Sequence, residues 1–258
     1  MNSITRKADF MNTLCVIPAR FASTRLPGKP LADIAGKPMI VRVYQQASKA
    51  KRLTGVIAAV DDERVYEAVV QNGGQAMMTA KDHPTGTDRL AEVAAAHPEA
   101  ELIINVQGDE PMIEPDIIDE LAAAFEEDPE LMMATVMSPM DNQADIDNPN
   151  NVKVVTDKKG YALYFSRSPL PYFREKTSMT VYKHIGIYAY KRDFLLNYAK
   201  MEPTELEKTE SLEQLRALEN GYRIKVIRTD FHFVGVDTPE DLEAVNIAYK
   251  QLLNGHKA

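Results

Sequence analysis

Among 258 residues there is one cysteine and no tryptophan. A single thiol excludes any intrachain disulfide, so the fold must rest on packing alone, and a reducing cytoplasm is the expected location. Cys15 lies inside an apolar run, Leu14 to Ile17, where a thiol reads as buried and inert rather than nucleophilic. No apolar run approaches the length of a membrane span, and the first residues lack the apolar core of a signal peptide. A soluble protein with no membrane partner is therefore expected. Positive charge is also in short supply, the net charge being −8. That balance argues against nucleic acid as a partner and makes each local cluster of Arg and Lys more informative. The P-loop order Gly-x-x-x-x-Gly-Lys-Ser/Thr is absent. There is no internal repeat and no low-complexity tract. Residues 1–12 are polar and unpatterned and read as a disordered extension, with Met11 a second candidate start.

What is present is concentrated after the first apolar run. Pro18 and Ala19 end it, and the loop that follows carries Arg20, Ser23, Thr24, Arg25 and the turn Pro27-Gly28-Lys29-Pro30. Three cations and two small hydroxyls at the carboxyl end of a strand make a polyphosphate site, because phosphate oxygens need fixed positive charge and free N–H donors. With no glycine-rich nest, binding there must rest on the Arg and Lys side chains. A loop of scattered surface charges is the plainer alternative.

The rest of the chain through residue 125 alternates short apolar strands with helices. Gly55–Val60 and Leu102–Val106 read as buried strands, with a helix from Pro38 to about Ala50, another capped by Asp61-Asp62, and a third from Thr87. This is the signature of a parallel, doubly wound sheet, in which function gathers at the carboxyl ends of strands. Beyond residue 130 the pattern turns β-rich. Strands are expected at Met132–Met137, Val152–Thr156, Tyr161–Phe165 (the last two a hairpin), Lys183–Tyr190 and Tyr222–Arg228. Leu206–Glu219 reads as one helix, with Leu212, Leu215 and Leu218 inward. The last helix has Thr238 as N-cap, Pro239 at the first position and Asp241 three residues after the cap. Its apolar face is Leu242, Val245, Ala248, Tyr249 and Leu252. Asp109 then follows one strand and Asp237 precedes that helix. A pair of aspartates facing a triphosphate would suit magnesium, which takes one or two carboxylates plus phosphate oxygens. Taken singly, each reads equally as a cap or turn residue.

Six motifs together resemble one family. They are Val16 to Lys29, Asn105-Val106-Gln107-Gly108-Asp109-Glu110-Pro111, Tyr161 to Arg167, His184-Ile185-Gly186-Ile187-Tyr188, Leu212-Glu213-Gln214-Leu215-Arg216 and Gly235-Val236-Asp237-Thr238-Pro239-Glu240-Asp241-Leu242. In this order and spacing, over about residues 13–250, the chain is similar to the 3-deoxy-manno-octulosonate (Kdo) cytidylyltransferases, or CMP-Kdo synthetases. The resemblance implies an α/β, Rossmann-like nucleotidyltransferase fold with a mainly parallel central sheet and a smaller β-rich part. Its divisions would be a nucleotide-binding part at 13–130, a sugar-binding and dimerisation part at 131–230, and the metal aspartate with the C-terminal helix at 231–254, all within one domain at 13–258. It implies CTP and Kdo as substrates, Mg2+ as cofactor, a homodimer, and a cytoplasmic role in lipopolysaccharide biosynthesis.

Residue by residue, the resemblance implies nucleotide contacts at Pro18, Ala19, Arg20, Ser23, Lys29, Arg89, Gln107 and Asp109. Catalytic charge would come from Arg20, Arg25, Lys29, Asp109 and Asp237, with Asp109 and Asp237 on the metal. The sugar would meet Arg167, through its carboxylate, and His184, Tyr188, Glu213 and Gln214, through its hydroxyls. Read without the family, His184 and Tyr188 share one face of a strand and suit satisfied core groups, while Glu213 and Gln214 suit a solvated helix face. Open alternatives are the same reaction on 8-amino-Kdo or a sialic acid, UTP in place of CTP, a nucleotide-sugar glycosyltransferase, and a non-catalytic sugar-nucleotide-binding protein. The expected reaction is displacement at the α-phosphorus of CTP by the anomeric hydroxyl, with no protein nucleophile and no evident general base.

Overall fold

Strand β1 (Thr13–Ala19) turns Cys15, Ile17 and Ala19 to one core and Leu14 and Val16 to another. Side chains alternate along a strand, so a run apolar at every position must be covered on both faces. The computed structural model, which describes residues 11–23, 25–175 and 178–255 with side chains to residue 252, shows how. After β1 come a 3-10 turn at Lys29–Leu31, the small hairpin β2 (Asp33–Ile34) and β3 (Lys37–Pro38), α1 (Met39–Ala47), β4 (Gly55–Val60), α2 (Glu63–Gln71), β5 (Ala76–Met78), α3 (Gly86–Ala96), β6 (Leu102–Asn105) and α4 (Pro115–Glu127). Then follow β7 (Met133–Met140), α5 (Gln143–Asp147), β8 (Lys153–Thr156), β9 (Ala162–Ser166), β10 (Val181–Lys191), α6 (Arg192–Tyr198), α7 (Glu205–Glu210), α8 (Leu215–Glu219), β11 (Ile224–Arg228) and α9 (Pro239–Gly255).

The central sheet runs β11-β7-β10-β6-β1-β4-β5. Its pairs are parallel except where β10 lies antiparallel between β6 and β7. Helices α1, α2 and α4 cover one face through Ile40, Val65, Leu121 and Phe125. Helices α3 and α6 cover the other through Leu90, Val93, Phe194 and Leu195. A third cluster of Ile34, Met39, Val236, Val245 and Tyr249 fastens α9 to the loop region after β1. Of the β-rich part expected at 131–230, β7, β10 and β11 extend the main sheet, and the β8–β9 hairpin branches from β10. Cys15 is fully buried, and burial pushes its thiol pKa far up, so it stays protonated.

Three expectations need correction. Of the extension expected at residues 1–12, residues 1–10 lie outside the described residues, but Asn12 is tied down: its side chain donates to the Glu99 carbonyl at 2.7 Å and its backbone N–H to Glu101 at 2.8 Å. Leu252 does not join the apolar face of α9, being 46% exposed. The single helix expected at Leu206–Glu219 is two, α7 and α8, broken at Ser211 with φ +51°. The reason lies in a buried ion pair. Arg216 grips Glu207 with Nε–Oε2 at 2.7 Å and Nη2–Oε1 at 2.5 Å, nine residues apart in sequence. On one continuous helix nine steps of about 100° place two side chains on opposite faces. The chain must fold back for the pair to meet.

Both side chains are nearly inaccessible, at 11% for Glu207 and 7% for Arg216. Glu207→Ala strands a buried guanidinium, and the expected loss is about 3 kcal/mol of unfolding free energy, read as a lower urea midpoint at unchanged m.

Candidate active site

The loop after β1 leaves the sheet beside the loop after β6, and glycine makes that approach possible. A Cβ on Gly108 would stand 2.7 Å from the Pro18 carbonyl oxygen, so only glycine fits. The loop before α9 joins them, Val236 N–H donating to the Asp109 carbonyl at 3.0 Å. The capping box of α9 fixes the last member. Asp241 accepts from the backbone N–H groups of Asp237 (3.0 Å) and Thr238 (2.9 Å), while Thr238 Oγ1 accepts from Asp241 N–H at 3.2 Å.

Between these loops lies a cleft of about 340 Å³ lined by Pro18, Ala19, Arg20, Ser23, Arg25, Lys29, Gln107, Asp109 and Asp237. Of the expected phosphate and metal residues, Arg20, Ser23, Arg25, Lys29, Asp109 and Asp237 are in it, and Thr24 lies outside the described residues. Lys29 Nζ donates to Asp109 Oδ2 at 2.6 Å and to Asp237 Oδ1 at 2.8 Å, and Arg25 Nη2 lies 3.0 Å from that same Asp237 oxygen. Burial would lower the Lys29 pKa, but the charges and hydrogen bonds of Asp109 and then Asp237 outweigh it and hold the ammonium above its ordinary value. Two carboxylate oxygens therefore converge on one cation position. That is the donor set an oxygen-loving divalent ion such as magnesium takes when phosphates supply its remaining ligands. Among the described residues no group of three or more acidic or histidine side chains could hold a metal by itself. The neighbouring Glu110 is not part of the cleft's lining, and burial first and Asp109 second push its carboxyl up to about 8.

Arg89 is not in the cleft. Its side chain is fully buried, donating to Asp61 Oδ2 at 3.1 Å and to Thr79 Oγ1, and burial lowers its pKa. Asp61 accepts from the Phe21 N–H at 2.8 Å with its other oxygen. The pair thus anchors the start of the phosphate loop from beneath, and Arg89 is a positioning residue where a nucleotide contact was expected. Asp61, read only as a helix cap on sequence grounds, is the other half of this anchor; the actual cap of α2 is Asp62.

A second pocket, about 210 Å³, opens on the far side of Gln107, which lines both. Tyr188, Glu213 and Gln214 line it as expected, with Asn105, Gly86 and Thr87. Gln107 is held by donating to the Gly186 carbonyl at 2.8 Å, at the bulge in β10. Glu213 and Gln214 sit at the break before α8, not on a solvated helix face; Gln214 is 4% exposed. Burial raises the Glu213 pKa against a hydrogen bond from Thr87. Arg167 is absent from the pocket lining. Its guanidinium donates to the carbonyls of Glu210 (2.7 Å), Pro149 (3.0 Å) and Ser211 (3.2 Å), which orients it elsewhere. His184 stands behind the pocket, its ring 5.4 Å from Tyr188 and edge-on to Phe165 at 5.0 Å. Thr135 gives its one proton to a carbonyl, Ile187 at 2.8 Å being the nearer, so it accepts from His184 Nε2–H at 3.0 Å. Burial then depresses the His184 pKa to about 3 and keeps the ring neutral. Asn105 and Thr87 were not singled out from the sequence. The signal for Asn105 was available: it is the one polar residue in Leu102-Ile103-Ile104-Asn105-Val106.

Residues 14–252 match the protein-family model for cytidylyltransferases. The chain is 55% identical over 246 residues to the 3-deoxy-manno-octulosonate cytidylyltransferase of Geobacter sulfurreducens, spanning 91% of this chain and 98% of the relative. A solved structure of CMP:2-keto-3-deoxy-manno-octonic acid synthetase, complexed with CTP, superposes with a TM-score of 0.89 at 46% identity, over 93% of this chain and 99% of that one. The 4-diphosphocytidyl-2C-methyl-D-erythritol synthase of Anaerococcus prevotii shares the fold, with a TM-score of 0.63 at 14% identity over 93% of this chain and 96% of that one.

Two outcomes follow. Lys29→Met leaves Asp109 facing Asp237 with only the exposed Arg25 still on Asp237; the metal-free protein should lose about 1 to 2 kcal/mol, Asp237 being half exposed, and regain more stability than wild type on adding magnesium in a thermal melt. For His184, a folded pKa of about 3 lies below the ordinary 6.5, so the unfolded chain binds the extra proton between them. Stability from the neutral ring is whole above pH 6.5 and is lost as pH falls. The advantage of wild type over His184→Gln should shrink by about 2 kcal/mol from pH 7 to pH 5, measured by urea unfolding.

Proposed function

The chain belongs to the 3-deoxy-manno-octulosonate cytidylyltransferase family, and from that premise we propose that it joins CMP from CTP to the anomeric hydroxyl of Kdo, releasing pyrophosphate. The product, CMP-Kdo, serves lipopolysaccharide biosynthesis. The observation that carries the reading is the convergence of Asp109 and Asp237 on one cation position inside a cleft walled by Arg20, Arg25 and Lys29, with a polar pocket beside it.

The anomeric oxygen attacks the α-phosphorus, the bond to the β-phosphate oxygen breaks, and the hydroxyl proton leaves to solvent. Arg20, Arg25 and Lys29 bind and orient the triphosphate and neutralise the charge that gathers on departing pyrophosphate. Pro18, Ala19, Ser23 and Gln107 shape the nucleotide side of the cleft. Asp109 and Asp237 would hold magnesium, which supplies positive charge to the phosphates and acidity to a hydroxyl bound near it. Lys29 and Arg25 then give up their carboxylate partners and turn their N–H donors to phosphate. Tyr188, Glu213 and Gln214 receive the sugar hydroxyls, and neutral His184 braces Tyr188 from behind. Arg167 reaches a sugar carboxylate only by releasing its three carbonyls, so its part is to tie the end of β9 to the end of α7. Among the described residues no helix is long and apolar enough to cross a membrane. The exposed apolar side chains Tyr172 and Phe173 support a homodimer in which residues 169–175 take part.

Pyrophosphate release measured with CTP and magnesium, in parallel with Kdo, 8-amino-Kdo, N-acetylneuraminic acid and no sugar, should be seen with Kdo and not without sugar. Asp237→Asn should cut that rate at least a hundredfold with its melting curve intact. Release with another sugar alone reassigns the second pocket, and near-normal turnover of Asp237→Asn removes that residue from the metal site.

A further inference from the structure

The second pocket holds two polar atoms that nothing in the protein satisfies. Asn105 Oδ1 and Gln214 Nε2 are both buried from solvent without a hydrogen-bond partner, in side chains 6% and 4% exposed, and both residues line the same 210 Å³ space. Buried polar side-chain atoms are partnered in the large majority of cases, so two orphans in one pocket mark a place built for something else. Their chemistry is complementary: one is an acceptor and the other a donor. A hydroxyl is the group that both donates and accepts, and a run of hydroxyls uses both ends at once.

The placement of Asn105 is specified by the sheet. It is the last residue of β6, directly opposite Tyr188 on antiparallel β10. Ile103, two residues earlier and on the same face, is core. An apolar side chain at 105 would continue that core without penalty, so the amide is there at a cost to folding. Two positions further on stands Gln107, on the wall between this pocket and the cleft with the phosphate-binding cations. Asn105 is thus as close in the chain to the shared wall as the strand allows.

We propose that Asn105 is a sugar-binding, specificity-determining residue, acting with Gln214 to take neighbouring hydroxyls of the acidic sugar through one acceptor and one donor. The inference rests on the cytidylyltransferase reading for its substrate. It extends that reading to a strand residue to which neither the family motifs nor the chain's periodicity gave a role. A site that hydrogen-bonds a substrate hydroxyl discriminates far better than an apolar one, because its own polar groups go unpaired with the wrong ligand.

The test uses Asn105→Leu, close in shape and without the amide, and Gln214→Met beside it, each measured for melting temperature without ligand and for KM of Kdo and of CTP. Replacing an unsatisfied buried amide by an apolar group of similar shape is stabilising, so Asn105→Leu should melt about 2 to 4 °C higher than wild type. Its KM for Kdo should rise at least about tenfold, the weight of one hydrogen bond, with KM for CTP within twofold of wild type. Gln214→Met should behave alike. A purely structural amide predicts the reverse: a lower melting temperature and equal effects on both substrates. A fall in melting temperature, an unchanged KM for Kdo, or failure of both variants to fold each overturns the proposal. If wild type turns over no Kdo, the substrate reading fails instead, and a raised melting temperature still identifies Asn105 as facing a ligand.

Discussion

One ammonium group holds the site together. Lys29 reaches carboxylates 80 and 208 residues further along the chain, so a single side chain ties the loop after β1, the loop after β6 and the loop before α9 to one point. Each of those loops is delivered by a different structural device: a strand end packed on both faces, a glycine pressed against a carbonyl, and a helix cap. None of these devices by itself sets the distance between the two aspartates. Two carboxylates this close repel unless a cation lies between them, and in the protein without ligands Lys29 is that cation. The two carboxylates are therefore already drawn to one point before any ligand binds, by Lys29 with Arg25 beside it. Preorganisation of this kind lowers the cost of assembling charge at the moment of reaction.

The same logic extends below the cleft. Asp61 uses one oxygen on the Phe21 N–H and the other on Arg89, while the Arg64 guanidinium lies 3.8 Å over the Phe21 ring. The phosphate loop is thus gripped at its first residue and again at Lys29, and the span carrying Ser23 and Arg25 runs between the two anchors. Arg20 adds a bond to the His83 carbonyl at 2.9 Å. Of the three cations, Arg20 and Lys29 are held near the two anchors, whereas Arg25, 65% exposed, has Asp237 as its ion-pair partner and is the one placed to change partners.

Much of this was legible in the sequence, for identifiable reasons. Continuous apolar runs gave β1, β4 and β6 within a residue or two of their observed limits, and Thr238-Pro239 with Asp241 announced the start of α9, because those signals are local. Lys29, Asp109 and Asp237, read from a strand end and a helix start, do converge in one cleft, because such positions gather at one edge of the sheet. What was not legible depended on contacts between distant residues. The break at Ser211 comes from a pairing of Glu207 with Arg216 that helical periodicity does not encode. Arg89 and Arg167 were assigned to ligands by motif, yet one is paired beneath the sheet and the other spends its donors on carbonyls. Cations near a site look alike in sequence whether they face the substrate or hold the wall.

Asn105 and Gln107 show what the strand end contributes to the reaction itself. The two substrates must meet with the anomeric oxygen in line with the α-phosphorus, and the enzyme gains most of its rate by fixing that meeting rather than by supplying new chemistry. A rigid element shared by both pockets is the shortest way to fix it. Strand β6 with the short turn after it is such an element: its backbone pairs with β1 on one side and β10 on the other, its last residue lines the second pocket, and the turn carries first Gln107, shared by both pockets and held on the Gly186 carbonyl, and then Asp109, held by Lys29. Asn105, Gln107 and Asp109 stand at alternate positions of one short stretch, so a displacement of the strand end would carry the linings of both pockets together. Their relative positions are thereby tied to the paired strand and to two fixed hydrogen bonds, from Gln107 to the Gly186 carbonyl and from Lys29 to Asp109, rather than to the longer loops around them.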